Sequence, residues 1–282
     1  MSRIEATFET LLNRRSKALI PYITAGDPDI ETTKRLVEAM EQNGADIIEL
    51  GVPFSDPLAD GTTIQRASQR ALQRGIDLAT ILKAVAEIRR ESSIPLVLMT
   101  YYNPVLRYGI ERFVHQASGA GVDGVILPDL PPEEAEEFLE LAKPRDFDLI
   151  FLVAPTSTPE RIRLVDQYSS GFIYCVSLTG VTGARGEIYR GLSDFIKGVR
   201  AHTDKPLAVG FGISTPKQAG EVARIADGVI VGSAIVDLIE RTRDIKDGLK
   251  RVGRFIRELK SGIEKGGQDV SGHERSRGSR GD

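Results

Sequence analysis

Tryptophan is absent from this 282-residue chain, histidine occurs three times and cysteine once. A single cysteine excludes an internal disulfide and any metal site built on several thiolates, and it suits a reducing compartment. Cys175 lies in the apolar run 172–176 and reads as a buried structural thiol, since a nucleophile needs an electropositive, accessible setting. His115, His202 and His273 have no spaced partners of the kind that ligate zinc, and neither a metal nor a bound organic cofactor is expected in this chain. Excess charge is missing too. The 37 basic and 40 acidic residues leave a formal charge of -3, which favours neither nucleic acid nor an anionic membrane, so any phosphate contact must be local. No stretch approaches a membrane span, and the first residues, with Glu5, Glu9, Arg14 and Arg15, lack the apolar centre of a signal peptide. A soluble, cytoplasmic protein is expected; a plastid protein of a plant would carry a transit peptide, and no such segment is read here.

What the chain has is a recurrent pattern. Eight short, β-rich apolar runs fall at 18–23, 46–50, 95–101, 124–127, 149–153, 172–177, 207–210 and 228–231, with segments of helical period between them. Runs that are apolar throughout, rather than alternating, suggest parallel strands covered on both faces. Helix signals sit where a βα repeat needs them. Ser157-Thr158-Pro159 and Ser214-Thr215-Pro216 each offer a capping hydroxyl followed by proline, Leu78, Ile81, Leu82, Val85 and Ile88 share one helical face, and Gly44 and Gly121 stand where helices must stop. The leading fold is an α/β class (β/α)8 barrel, with a doubly wound open sheet as the alternative. Such barrels run to about 250 residues as one domain, and residues 1–265 are expected to form one.

Two additions to the plain barrel are expected. Ile4, Phe8, Leu11 and Leu12 make an apolar stripe behind a Ser2/Glu5 capping box, a helix suited to plug the amino-terminal end of the barrel. The second and third runs are separated by more sequence than one helix requires, which leaves room for a long loop and an extra helix near 63–74. At the other end, residues 245–263 read as the closing helix. From 266 to 282 the chain is mostly Gly, Ser, Arg and Asp with one apolar side chain, Val270, and a disordered tail is expected, in preference to an arginine-dotted binding arm.

Chemistry concentrates in residues 47–65, IIELGVPFSDPLADGTTIQ. Glu49 sits inside an apolar run, where a charge is costly to bury unless paired or used; the bland reading is a structural carboxylate paired with a lysine or backbone amides. Asp60 precedes a glycine in a polar loop, and an Asp-Gly turn is its bland reading. A second concentration is glycine. Gly210-Phe211-Gly212 follows the seventh run and Gly232-Ser233 follows the eighth, just before a helix begins. Glycines let backbone N–H groups approach phosphate oxygens and a helix N-terminus adds partial positive charge, and two such loops in consecutive βα units favour a phosphate site over simple turns. Tyr22, Leu127, Phe211 and Ile230 could form an apolar slot for a ring, and Tyr102 and Tyr174 could offer hydroxyls near it, although core packing is a close rival for Leu127 and Ile230.

Eight stretches in order carry a resemblance: PYITAGDP (21–28), ELGVPFSDPLADG (49–61), MTYYNPV (99–105), ILPDLPPEE (126–134), LVAPTS (152–157), GVTGAR (180–185), GFGIS (210–214) and GSAIV (232–236). Over roughly 8–262 the chain resembles the tryptophan synthase alpha chain, a (β/α)8 enzyme that cleaves indole-3-glycerol phosphate to indole and glyceraldehyde 3-phosphate. The resemblance implies that Glu49 shuttles protons and that Asp60 hydrogen-bonds the indole N–H. It further implies that Gly183, Gly212, Gly232 and Ser233 hold the phosphate, and that the loop at 180–183 closes with Thr182 on Asp60. It also implies an α2β2 heterotetramer with a beta chain that carries pyridoxal phosphate, contacted through 53–60 and the surface near Asn103 and Pro104. Asp56 is assigned to loop geometry or that surface. Two positions depart from the usual pattern: Thr62 stands where proline is common and Tyr22 where phenylalanine is common. A related phosphate-binding barrel, such as an indole-glycerol-phosphate synthase or a phosphosugar isomerase, would lack the ELGVPFSDPLADG loop. A non-catalytic regulatory subunit would have no use for Glu49 and Asp60 together.

Overall fold

The computed structural model describes residues 1–176, 191–210, 212–242 and 244–277, with side chains as far as 267. Strands β1 (Ala18–Thr24), β2 (Ile48–Gly51), β3 (Leu96–Met99), β4 (Gly124–Ile126), β5 (Asp148–Ile150), β6 (Leu152–Val153), β7 (Ile173–Val176), β8 (Leu207–Gly210) and β9 (Gly228–Val231) are parallel and pair in the order β5-β4-β3-β2-β1-β9-β8-β7-β6. The outermost two, β5 (Asp148–Ile150) and β6 (Leu152–Val153), are halves of one stretch interrupted at Phe151. The Phe151 carbonyl still accepts the Tyr174 N–H at 3.0 Å. The two edges of the sheet are therefore one piece of chain and the sheet closes into a (β/α)8 barrel, with the run expected as one fifth strand broken in two.

Pleating sorts the strand residues into two faces. Ala18, Ile20, Ile47, Val97, Ile126, Ile150, Phe172, Ala208 and Ile230 share one cluster inside the barrel. Their neighbours Leu19, Ile48, Leu50, Leu96, Leu98, Val125 and Leu127 belong to the larger cluster between the sheet and its helices. Glu49 on β2 (Ile48–Gly51) is therefore an inward residue in phase with Ile47, and its neighbours Ile48 and Leu50 point away from it.

Helix α1 (Arg3–Asn13) fills the lower end. Its N-terminus carries the expected Ser2/Glu5 capping box, and Ile4, Phe8 and Leu11 join the interior cluster, with the Phe8 and Phe172 ring centroids 5.7 Å apart. Leu12 does not follow them. It is 70% exposed, because at i+8 it lies about 80° around the helix from Ile4, on the solvent edge of the stripe that Ile4, Phe8 and Leu11 turn inward.

Three acids lock this lower face. Asp46, Asp123 and Asp227 stand just before strands and accept the N–H of Leu19, Leu96 and Leu207, the first or second residue of the preceding strand in the ring. Each is paired as well: Asp46 with Lys260 at 2.7 Å, Asp123 with Arg3 at 2.7 Å and Arg89 at 2.6 Å, and Asp227 with Lys17 at 3.0 Å and with Arg200. These three carboxylates, one buried and two half-buried, are tolerated because each has a cation and a strand amide.

The extra helix after the second strand is α3 (Thr62–Gln73). The caps at Thr158 and Thr215 form as expected, the second as a full box with Gln218. The carboxyl-terminal segment differs from the expectation of disorder beginning at 266. Helix α12 (Ile245–Arg277) continues through it, and Gly266 is buried. Gly262 and Gly266, four apart, lie on the face pressed against α10 (Pro216–Ala223), where a Cβ on Gly220 would meet the Gly262 carbonyl oxygen at 2.6 Å. Composition misread Gly266 as flexible when, with Gly262, it allows two helices to touch.

Candidate active site

Helix α3, the carboxyl ends of β1 (Ala18–Thr24), β2 and β3 (Leu96–Met99), and the start of α11 (Ser233–Glu240) surround a cavity of about 460 Å³. Glu49 and Asp60 line it together with Tyr22, Tyr174, Gly212, Ile230, Gly232 and Ser233. This is the end of the barrel at which such folds build their sites.

Glu49 is 1% exposed, opposite Tyr22 on the neighbouring strand, and among the described residues neither of its carboxylate oxygens has a hydrogen-bond partner. Burial, and secondly the nearby Asp60 charge, raise its pKa from 4.5 to about 8. A carboxyl left without amides or cations at neutral pH is held as the acid. Asp46, Asp123 and Asp227 on the lower face, by contrast, are each paired with a cation. The reading of Glu49 as a structural ion-pair partner therefore has no partner to offer among the described residues.

Asp60 is half-buried and immediately precedes Gly61, the N-cap of α3. Burial raises its pKa, and a hydrogen bond from the Tyr101 hydroxyl works in the other direction. The N-terminus of α3 likewise favours the carboxylate form. The Tyr101 oxygen accepts the Ala59 N–H at 2.8 Å, and its ring lies 5.2 Å from that of Phe54. Burial pushes the Tyr101 phenol up to about 12, so it acts as a hydrogen-bond donor throughout the physiological range.

Tyr22 and Tyr174 flank Glu49 with both phenols raised by burial. Their hydroxyls fill the space beside Gly51 and Gly210, where any Cβ would collide with them. The Tyr22 hydroxyl lies 3.4 Å from the Thr24 hydroxyl. Across the cavity Gly212 has φ +75, a left-handed conformation that glycine adopts without strain, and α11 begins at Ser233 with Gly232 as an N-cap that has no side chain to occupy the first amides. An anion can use those amides.

Two sequence candidates lie elsewhere. Leu127 is one residue out of phase with the inward Ile126 and packs in the outer core. Tyr102 opens α5 (Tyr102–Tyr108), half-buried against that same outer core and near Glu134 and Glu137. The hydroxyl that reaches Asp60 comes from Tyr101 instead. The inward phase Val97, Met99, Tyr101 could have identified it. Thr182, Gly183 and Phe211 lie outside the described residues. Sequence reading also passed over Met99, Ile64 and Thr63, which complete the apolar and polar walls. A second cavity, of about 350 Å³, lies at the lower end beside α1, but its cations are already used: Lys17 and Arg200 on Asp227, and Lys205 on Asp166. Among the described residues no group of three His, Cys, Asp or Glu side chains is arranged to hold a metal, and no helix is long and apolar enough to cross a membrane.

The family model of the tryptophan synthase alpha chain matches residues 8–264. The chain belongs to that family. The alpha chain of Geotalea uraniireducens is 56% identical over 265 residues, covering 94% of this chain and 98% of that protein. That of a Thermoanaerobacter species is 50% identical, covering 92% and 99%. Among solved structures, tryptophan synthase subunit alpha of Legionella pneumophila superposes with a TM-score of 0.88 at 40% identity, over 94% of this chain and 99% of that one. A chain of Mycobacterium tuberculosis tryptophan synthase gives 0.84 at 40% identity, over 93% and 98%. A tryptophan synthase alpha chain is a lyase of tryptophan biosynthesis. Its substrate is indole-3-glycerol phosphate and its partner is the beta chain.

Proposed function

We propose that the cavity between Glu49, Asp60 and the start of α11 is where indole-3-glycerol phosphate undergoes retro-aldol cleavage, with Glu49 moving the protons and Asp60 balancing charge on the ring. The observation that carries this reading is the Glu49 carboxyl, buried and without a hydrogen-bond partner among the described residues, on the wall of a cavity that also contains a second carboxylate. Its raised pKa makes it an acid at neutral pH, able to protonate ring carbon 3. Protonation there leaves positive charge on the ring nitrogen, and the Asp60 carboxylate accepts the N–H and offsets that charge. The bond between ring carbon 3 and the side chain then breaks, its electron pair restoring the aromatic ring. The side-chain hydroxyl becomes the aldehyde and its proton returns to Glu49. Two carboxyls whose environments push their titrations apart can divide such work.

Amides at the start of α11, with the Ser233 hydroxyl, are the phosphate anchor in this reading, and Tyr22, Tyr174 and Ile230 form the ring slot. Gly212 lines the same cavity, and the resemblance adds Thr182 and Gly183, and the sequence pattern Phe211, as substrate contacts. The beta chain meets the loop 53–60 and the surface near Asn103 and Pro104. Leu58 is 88% exposed there, and Phe54 packs on the tyrosine that bonds Asp60, so pressure on the loop reaches the carboxylate. Pyridoxal phosphate belongs to the beta chain, the assembly is α2β2, and the chain works in the cytoplasm. The deciding assay is steady-state cleavage of indole-3-glycerol phosphate, with and without the beta chain. Glu49→Gln should lose at least about 10²-fold in turnover while substrate affinity stays near wild type; near-normal cleavage by that variant removes the assignment.

A further inference from the structure

Helices α3 and α11 run side by side in the same direction. Their first turns both wall the cavity, Ala67 and Val236 meet in a small cluster with Tyr22, and Arg66 and Arg70, in the middle of α3, reach Glu240 at the end of α11. Arg66 grips the Glu240 carboxylate with two bonds, of 3.0 and 2.7 Å. Arg70 adds a third of 2.6 Å, and with its other nitrogens holds Asp27, buried just after β1, through two bonds of 2.8 Å. An isolated surface ion pair contributes little, but a bidentate network of two guanidiniums and two carboxylates fixes relative geometry. Glu240 is also an acid at the C-terminus of its own helix, an unfavourable position that the two arginines reverse.

The two helices serve opposite ends of the substrate. Asp60 immediately precedes α3, and the start of α11 is the phosphate anchor of the reading above, on which this inference rests. We propose that the Glu240–Arg66–Arg70–Asp27 clamp makes α3 and α11 one rigid piece, so that phosphate held at the start of α11 sets the position of the Asp60 carboxylate against the ring. Arg66, Arg70 and Glu240 are positioning residues, acting through Asp60. Part of the binding energy of the non-reacting phosphate is thereby used at the reacting ring.

The test compares the full chain and its Glu240→Gln and Arg66→Met variants on indole-3-glycerol phosphate and on indole-3-glycerol, which lacks the phosphate. Inorganic phosphate serves as a competitive inhibitor that reports on the anchor, and melting temperature is followed throughout. The clamp predicts that both variants lose about tenfold in kcat on the phosphorylated substrate, while cleavage of indole-3-glycerol and the inhibition constant of inorganic phosphate change by less than about threefold. Equal losses on the two substrates indicate general loosening and overturn the proposal, as does wild-type kcat in both variants. Gly232→Val separates this failure from failure of the phosphate reading. That variant should weaken inhibition by inorganic phosphate, and unchanged inhibition would mean that the anion binds elsewhere, which overturns both.

Discussion

Replacing Glu49 by glutamine should stabilise the protein while disabling it, and the size of the gain should depend on pH in a calculable way. The carboxyl titrates at 4.5 in ordinary surroundings and at about 8 in the folded chain. The sign follows from which state binds the proton. Between these values the unfolded chain releases the Glu49 proton and the folded chain retains it, so unfolding is favoured progressively as pH rises. Below pH 4.5 the group is neutral in both states and carries no penalty; above about 8 it is ionised in both and the penalty is complete. With about 1.36 kcal/mol per pH unit, the penalty is about 3 kcal/mol at pH 7 and about 5 kcal/mol at pH 9. A neutral amide of the same shape avoids it. Urea unfolding of the wild type and Glu49→Gln at pH 4.5, 7 and 9 should give stabilities that converge at the acid end and separate by these amounts at the alkaline end. At neutral pH the gain corresponds to a melting temperature higher by roughly 6–12 °C. A difference that stays flat across the range, or that favours the wild type at pH 9, would show that Glu49 is ionised and solvated in the ordinary way. The acid role would then have no basis.

Tyr101→Phe removes the hydroxyl that bonds Asp60 and the Ala59 N–H. Stability should fall by about 1 kcal/mol, and because that bond lowers the Asp60 pKa, the acid limb of the pH-rate profile should move to higher pH. Thr62→Pro should stabilise by about 0.4–1 kcal/mol in thermal unfolding. Thr62 is the first residue of α3, where proline is favoured, and Gly61 before it already has the extended conformation (φ -70, ψ 162) that a following proline requires. Gly262→Ala should destabilise by about 1–3 kcal/mol, since its Cβ would run into the Pro216 carbonyl, whereas truncation after residue 267 should leave melting temperature and turnover near wild type.

The barrel was legible because a βα repeat repeats its signals. Apolar runs mark strands covered on both sides, and the caps at Thr158 and Thr215 mark helix starts. The two concentrations that meet at one cavity were legible for a different reason. A carboxylate in an apolar strand and glycines at two successive strand ends are both exceptions to what packing alone prefers. Reading failed where one residue of phase decided the outcome. Leu127 and Tyr102 were chosen by type, while the pleat turns Ile126 and Tyr101 inward. It failed again at Gly266, because composition cannot distinguish a glycine that frees the chain from one that admits a neighbouring helix. The clamp at Glu240 joins residues 174 positions apart, and no local pattern announces it.

The acids of the lower face also bear on how this chain reaches its fold. Asp46 meets Lys260 across 214 positions, Asp227 meets Lys17 across 210, and Asp123 meets Arg3 across 120. Until both ends of the polypeptide arrive, Asp46 and Asp227 face burial without their lysines, and the strand amides they hold are weakly fixed. Neither half of the barrel can complete its own floor. Closure is therefore expected to come late and cooperatively, after long loops have been ordered, as in other folds with many distant contacts. A chain that stops short of Lys260 lacks the cation that completes the first of these pairs, and with it the last stitch between its beginning and its end.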